Sequence, residues 1–358
     1  MKKIILLSIF LCFLLNINAQ KKKSQKYDLK SSQLSGLEFR SIGPAFMSGR
    51  IADIAINSEN ENEWYVAVGS GGVWKTSNSG TTWDPIADDQ PFYSTGCITI
   101  DPHNSSKIWL GTGENVGGRH VGIGHGVYLS ENGGEKWKYM GLKSSEHISK
   151  IIISPNDPNL IFVASQGPLW SSGGERGLFR SIDGGKNWKN VLDINKWTGV
   201  TDIVIDKNDP NILYAATWQR HRNVAAYMGG GPGTSIYKSI NSGISWFKID
   251  VGLPKSNLGK IGLAISPFDS SIIYAAIETD RRNGGVYKTT NSGGSWVKMS
   301  DTVSGATGPH YYQELVASPH VFDKIYLMDT NVQVSENGGK DFYMMNESDK
   351  HVDNHSLT

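Results

Sequence analysis

Four carboxylates on long polar loops, Glu114, Glu175 and Glu314 with Asp280 behind them, are the residues of this 358-residue chain best suited to acid–base chemistry. Bond cleavage by carboxylates needs two such groups facing one substrate, one giving a proton and one taking it or attacking. Spacing along the chain pairs none of the four, so only the fold can bring two together. The same loops concentrate Trp170, Trp218, Tyr227, Tyr311 and Tyr312 beside Arg119, His120, Arg176, Arg220, Arg222 and Arg281. Flat aromatic faces next to planar guanidinium groups suit stacking on sugar rings or gripping a peptide segment. The plain alternative is that these loops are merely solvated and their aromatics cover the scaffold. Near the end, His351, Asp353 and His355 stand two residues apart, which on a strand aims all three side chains to one face. They are the weak candidates for a metal site. Their plain reading is polar residues along a wet channel, and neither a metal nor another cofactor is expected.

The elements that must position these residues follow from a repeat. Residues 181–188 read SIDGGKNW, and related stretches occur at 76–83 (TSNSGTTW), 130–137 (SENGGEKW), 239–246 (SINSGISW), 289–296 (TTNSGGSW) and 335–342 (SENGGKDF). The shared pattern S/T-x-D/N-x-G-x-x-W is a turn signature. The hydroxyl and the Asp or Asn side chain accept bonds from nearby backbone N–H groups. Glycine supplies a left-handed backbone conformation, and the terminal aromatic offers a large apolar ring to an adjoining core.

Ahead of each copy come a strand with alternating apolar residues, such as Ile148-Ser149-Lys150-Ile151-Ile152-Ile153, a Pro/Asn/Asp turn, and a second apolar strand. A third strand leads into the motif and a fourth follows its aromatic. Four short strands per repeat of this length predict an all-β propeller with four-stranded blades. Inner strands are expected to start near Ile51, Gly96, Ile148, Val200, Lys260 and Tyr312, giving six complete blades. The tail, residues 351–358, resembles the first strand of an incomplete seventh, and residues 37–44 suit the strand that closes such a ring. A C-terminally incomplete seven-bladed ring is therefore expected, the alternative being a closed six-bladed ring with a spare tail. In a four-stranded blade the loops carrying the candidate residues leave one face and the repeated turns the other.

Composition agrees with this fold and bounds the function. Gly at 41 copies and a hydrophobic content of 38% fit a turn-rich β protein with a sizeable core. Residues 1–19 read as a secretory signal cleaved after Ala19, too short in its apolar run to span a bilayer. A lipid anchor at Cys12 is disfavoured because that residue lies inside the run behind bulky Phe10 and Leu11. Removing Lys2 and Lys3 turns a net charge of +1 into −1, so nothing suggests a nucleic-acid partner. Residues 20–36 form a basic, polar leader and 37–358 the propeller. Cys97, alone after cleavage, sits in an apolar strand as a small hydrophobe. A secreted or periplasmic location follows, with no membrane span after cleavage and no indication of oligomeric state.

The repeated turn resembles the Asp-box, or BNR repeat, of sialidases, xyloglucanases and sortilin, and the chain from about Leu37 onward is similar to exported sortilin-like BNR propellers often described as glycosyl hydrolases. The stretches Gly111-Thr112-Gly113-Glu114-Asn115, Glu175-Arg176-Gly177, Ala216-Thr217-Trp218-Gln219-Arg220 and Gly229-Gly230-Gly231-Pro232-Gly233 carry that likeness. The resemblance implies the fold and leaves the activity open, since propellers host hydrolases, receptors and assembly factors. Xyloglucanases have an Asp ahead of a Gly-Gly pair in the first blade. Matching on Gly71-Gly72 puts Gly69 there, without the carboxylate that an inverting mechanism uses as base. The sialidase motif is similar to residues 39–44 only with two residues inserted, which leaves Arg40 a poor match. The expectation is thus a secreted Asp-box propeller that recognises a peptide, protein or glycan on its loop face, with a glycoside hydrolase using loop carboxylates as the alternative. An assembly factor resembling photosystem-associated BNR propellers is a third possibility.

Overall fold

Stretches such as Ile151-Ile152-Ile153 and Ile203-Val204-Ile205 send successive side chains to opposite faces of a strand. Both faces are apolar in blades 2 to 5 because each of these sheets is packed between two others. The computed structural model describes residues 30–37, 49–116, 118, 121–279, 283–303 and 314–358. Met1–Met47 and Ser48–Thr358 are separate compact units. The described part of the first holds a 3-10 turn, Ser31–Gln33. The expected signal peptide and the expected closing strand beyond Leu37 lie outside the described residues.

Ser48–Thr358 is a β-propeller of six four-stranded antiparallel blades, each with its strands in chain order apart from one inserted hairpin. The inner strands are Ile51–Ile56, Thr95–Asp101, Ile148–Ser154, Thr198–Ile205, Ile261–Ile265 and Leu315–Ala317. They lie beside one another around the axis. Thr99 Oγ1 donates to the Ile151 carbonyl (3.0 Å), and Ser149 Oγ to that of Val200 (3.2 Å). Apolar cores fill the gaps between blades, for example Trp109, Ile161 and Phe179 between blades 2 and 3. Burial of such side chains from both sheets is the main stabilising term.

The repeated turn has one geometry in all six blades. Ser181 Oγ donates to Asp183 Oδ1 (2.8 Å) and accepts from Gly185 N–H (2.9 Å), while Asn187 N–H donates to Asp183 Oδ1 (3.0 Å). The same bonds recur from Thr76, Ser130, Ser239, Thr289 and Ser335. Its aromatic does more than fill a core. Most of these rings are half-buried between blades, and the indole N–H of Trp137, Trp188 and Trp296 donates to a carbonyl near the outer strand of the preceding blade: Ile86, Met140 and Ile249.

The tail departs from expectation. Residues 351–358 form no strand. They run from blade 6 to blade 1, with Asp353 N–H donating to the Thr330 carbonyl (2.7 Å), Asn354 N–H to that of Asp329 (3.0 Å) and Ser356 Oγ to Asp53 Oδ1 (3.0 Å).

Candidate functional site at the propeller axis

One position recurs in every blade, immediately before the apolar run of its inner strand. It is filled by Asp53, Cys97, Lys150, Asp202, Gly262 and Glu314. In blades 1 to 4 the ladder register shifts just ahead of it, between Ile51 and Asp53, Thr95 and Cys97, Ile148 and Lys150, and Val200 and Asp202. A bulge of this kind re-aims the following side chain. Opposite stand Ala67, Gly111, Ala164, Ala216 and Ala276, small enough to leave the side chains room.

The result is a layer of charge across the axis. Asp53 Oδ2 accepts from Ile98 N–H of the next blade (2.9 Å), and Asp202 Oδ2 from Leu263 N–H of the next (2.7 Å). Lys150 Nζ donates to Asp202 Oδ1 (2.7 Å). Burial alone would pull the Lys150 ammonium down, yet Asp202 beside it and Glu314 beyond hold it above its usual value. Burial pushes Asp53 up to about 6 against its hydrogen bonds from Ile98, Ser356 and Ile54. Lys260 is almost fully buried, and desolvation lowers its pKa in spite of Glu314 and Asp202.

Above this layer lies a small pocket lined by Arg50, Ala52, Glu114, Asn115, Val116, Glu314 and His355. Gly113 makes the turn that delivers Glu114. Its φ is +85°, and a Cβ there would meet the Glu146 carbonyl at 1.7 Å. The Glu114 carboxylate is anchored at both ends, by Arg50 Nε at 3.1 Å from Oε1 and by Gly122 N–H at 2.6 Å from Oε2. It also fills the space beside Gly69: a Cβ on that glycine would lie 2.6 Å from Glu114 Oε1. The space that a side chain at Gly69 would take is thus filled by a carboxylate from the neighbouring blade.

Glu314 is held more loosely, by Asn115 Nδ2 at 3.3 Å and Lys260 Nζ at 3.7 Å. Asn115 is the hub of the pocket floor, since its Oδ1 accepts from Gln166 Nε2 (2.9 Å) and its carbonyl from Lys260 (3.5 Å). His355 is held near the neutral state, burial first and the charges of Lys260 and Arg50 next depressing it to about 4. Alternating donors and acceptors around one recess suit a polyhydroxylated ligand better than an apolar one.

Two of the four expected acids, Glu114 and Glu314, therefore meet at one site. Glu175 does not. Its carboxylate accepts from the Ser144 N–H (2.7 Å) and hydroxyl (2.9 Å) and staples two loops. Asp280, Arg119, His120, Arg281, Tyr311 and Tyr312 lie outside the described residues.

Three expected ligand contacts are corrected, because their polar groups are turned into the protein. Arg176 is buried and donates to the carbonyls of Gly173, Gln166, Pro168 and Ser171. Arg220 is fully buried, with Nη1 on the Val116 carbonyl (2.7 Å), and burial lowers it to about 9. Trp218 is buried with its indole N–H on the Gly229 carbonyl (2.7 Å). Trp170 is 49% exposed, and Tyr227 is half-buried under the Arg222 guanidinium, 4.4 Å from the ring centre.

The expected one-face array of His351, Asp353 and His355 is also corrected. Without a strand the alternation is lost, so His351 points to solvent while His355 lines the pocket. No group of three or more metal-ligating side chains occurs among the described residues. No helix among them is long and apolar enough to cross a membrane. Arg50, Asn115, Lys150, Asp202 and Lys260 were not singled out from sequence. The signal that marks Lys150 and Asp202 is their equivalence to Asp53 and Glu314 in the repeat.

No family model matches the chain. The xyloglucanase Xgh74A of Acetivibrio thermocellus is 23% identical over 290 residues, 72% of this chain and 32% of that protein. The chain thus spans about a third of the length of that curated relative. Among solved structures, YCF48 from Cyanidioschyzon merolae superposes with a TM-score of 0.53 at 14% identity, over 83% of this chain and 85% of its own. An ancestral GH74 enzyme superposes with a TM-score of 0.62 at 23% identity over 83% of this chain and 38% of its own, so in architecture the chain is similar to the propellers of GH74 enzymes.

Proposed function

We propose that the mouth of the axial pocket contacts a sugar residue of a polysaccharide, and that the chain is the glycan-recognising propeller of a glycoside-hydrolase-type protein. The observation that carries this reading is the meeting of Glu114 and Glu314, far apart in sequence, in one recess with Arg50, Asn115 and His355. Carboxylates, a guanidinium and an amide at close quarters match the donor and acceptor hydroxyls of a sugar ring, and likeness to xyloglucanases supports a glucan as the class. Secretion, read from residues 1–19, would place the protein where such polymers are met.

Hydrolysis is the second reading, favoured by the same two carboxylates. Their environments differ. Glu114 has both oxygens engaged by Arg50 and Gly122, whereas Glu314 has looser contacts and keeps 27% of its side chain exposed. Of the two, Glu314 has the greater freedom to approach a substrate, and Glu114 is the more rigidly held.

The test is retardation of the full chain in gels cast with xyloglucan, run beside reducing-sugar release from the same polymer. Glu314→Gln should weaken retardation at least tenfold, about 1.4 kcal/mol or more. Loss of sugar release in the same variant would establish catalysis. A wild-type chain that neither binds nor cleaves xyloglucan or other soluble β-glucans would refute the proposal.

A further inference from the structure

Resting on the glycan reading, a second region of the loop face carries an inference of its own. Blade 4 inserts a hairpin, His221–Arg222 paired with Tyr227–Met228, whose turn is tied by Asn223 Oδ1 accepting from Ala225 and Ala226 N–H. The hairpin lies against the blade 3 loop, where Arg222 N–H donates to the Leu169 carbonyl (3.0 Å) next to exposed Trp170. That loop is in turn bonded to the next through Gly173 N–H and the Lys196 carbonyl (2.8 Å), beside Trp197. Trp197 packs at a tilt of 51° against His221 with ring centres 4.2 Å apart.

These loops are fixed, and they are fixed to the pocket. Arg220, at the foot of the hairpin, is removed from water entirely and reaches across to the carbonyl of Val116, a residue of the pocket wall. Burying a guanidinium is costly unless its hydrogen bonds are made, so this contact ties the loops of blades 2 and 4 in one arrangement. Arg176 organises the blade 3 loop in the same way. The rings of Trp170, Trp197 and Tyr227 are thereby presented on a rigid support rather than on loops that must be ordered by a ligand.

We infer that this aromatic cluster is a second glycan-contacting subsite, a stacking platform that takes further sugar rings of a chain whose one residue lies at the mouth of the axial pocket. Flat rings bind the C–H faces of pyranoses, and the Arg222 guanidinium over Tyr227 places a planar set of donors beside them. A rigid support favours a stiff, repeating ligand, so the class is a polysaccharide rather than a single sugar. Arg220 is a positioning residue in this scheme and touches no ligand.

The test separates the platform from the pocket. The full chain and its Trp170→Ala, Tyr227→Ala and Glu314→Gln variants are titrated with polymeric xyloglucan and with cellotetraose, and unfolding midpoints confirm that the variants are folded. Removing either ring should raise Kd for the polymer about tenfold and leave cellotetraose binding unchanged. If both ring variants bind polymer like wild type while Glu314→Gln weakens it, the platform is refuted and the pocket stands. If the ring variants weaken polymer binding and Glu314→Gln does not, the platform stands and the pocket reading falls. No binding of polymer by the wild-type chain refutes both.

Discussion

Replacing Gly69 with alanine tests the central geometric claim, that the Glu114 carboxylate occupies the space of the absent first-blade side chain. The new Cβ would lie 2.6 Å from Glu114 Oε1 and 3.0 Å from its Cγ, well inside ordinary contact. Gly69 does not adopt the left-handed backbone region, so alanine brings no backbone strain and the clash is the whole penalty. Glu114 cannot simply swing away, because Arg50 and Gly122 hold its two oxygens at 3.1 and 2.6 Å. Overpacking of this kind costs about 1–3 kcal/mol, and weakening a charge-assisted hydrogen bond adds about 1.5–3 kcal/mol. The lost glycine entropy of the unfolded chain returns about 0.4–1 kcal/mol. Gly69→Ala should therefore destabilise by roughly 1.5–5.5 kcal/mol in urea unfolding. In a Glu114→Ala background the obstacle is gone, and the same change should be neutral or stabilise by about 0.5 kcal/mol. The double-mutant cycle then reports a coupling of about 2 kcal/mol or more. Additive substitutions, or a Gly69→Ala protein as stable as wild type, would refute the reasoning.

Two further outcomes are expected. Asp53, raised to about 6, binds more protons folded than unfolded, so its contribution to stability falls as pH rises from about 4 to 6; His355, depressed to about 4, does the reverse from about 4 to 6.5. Relative to wild type, Asp53→Asn should therefore gain about 3 kcal/mol of stability between pH 4 and 6, which urea melts at stepped pH will check. In the repeated turn, Ser181→Ala removes the buried acceptor of Gly185 N–H and should cost about 1–2 kcal/mol, while Ile182→Ala at its exposed neighbour should change the thermal midpoint little.

The repeated turn was legible in the sequence because every bond in it closes within five residues, from Ser181 Oγ to Gly185 N–H and from Asp183 Oδ1 to Asn187 N–H. Local chemistry of that kind is the same in any context, and six copies in phase mark six blades and their strand order, whereas the expected first strand of a seventh at residues 351–358 does not form. The expected inner-strand starts fall close to those observed in five blades, and the sixth begins at Leu315, beyond the expected Tyr312. The axial residues were legible in part: Asp53, Lys150, Asp202 and Glu314 are equivalent in the repeat, but no single copy marks them.

What sequence could not supply is direction. Composition groups Arg176, Arg220 and Trp218 with the exposed loop residues, whereas the structure turns them inward to satisfy buried carbonyls. The alternation that would have set His351, Asp353 and His355 on one face requires a strand, and residues 351–358 have none. The sequence by itself determined the blade, because a blade is made of neighbours along the chain. Only the tertiary structure decided the candidate site, because Glu114 and Glu314 share a pocket solely through the fold that brings the loops of blades 2 and 6 together, and burial, not residue type, settles which loop cations stay open to solvent and which hold the loops in place.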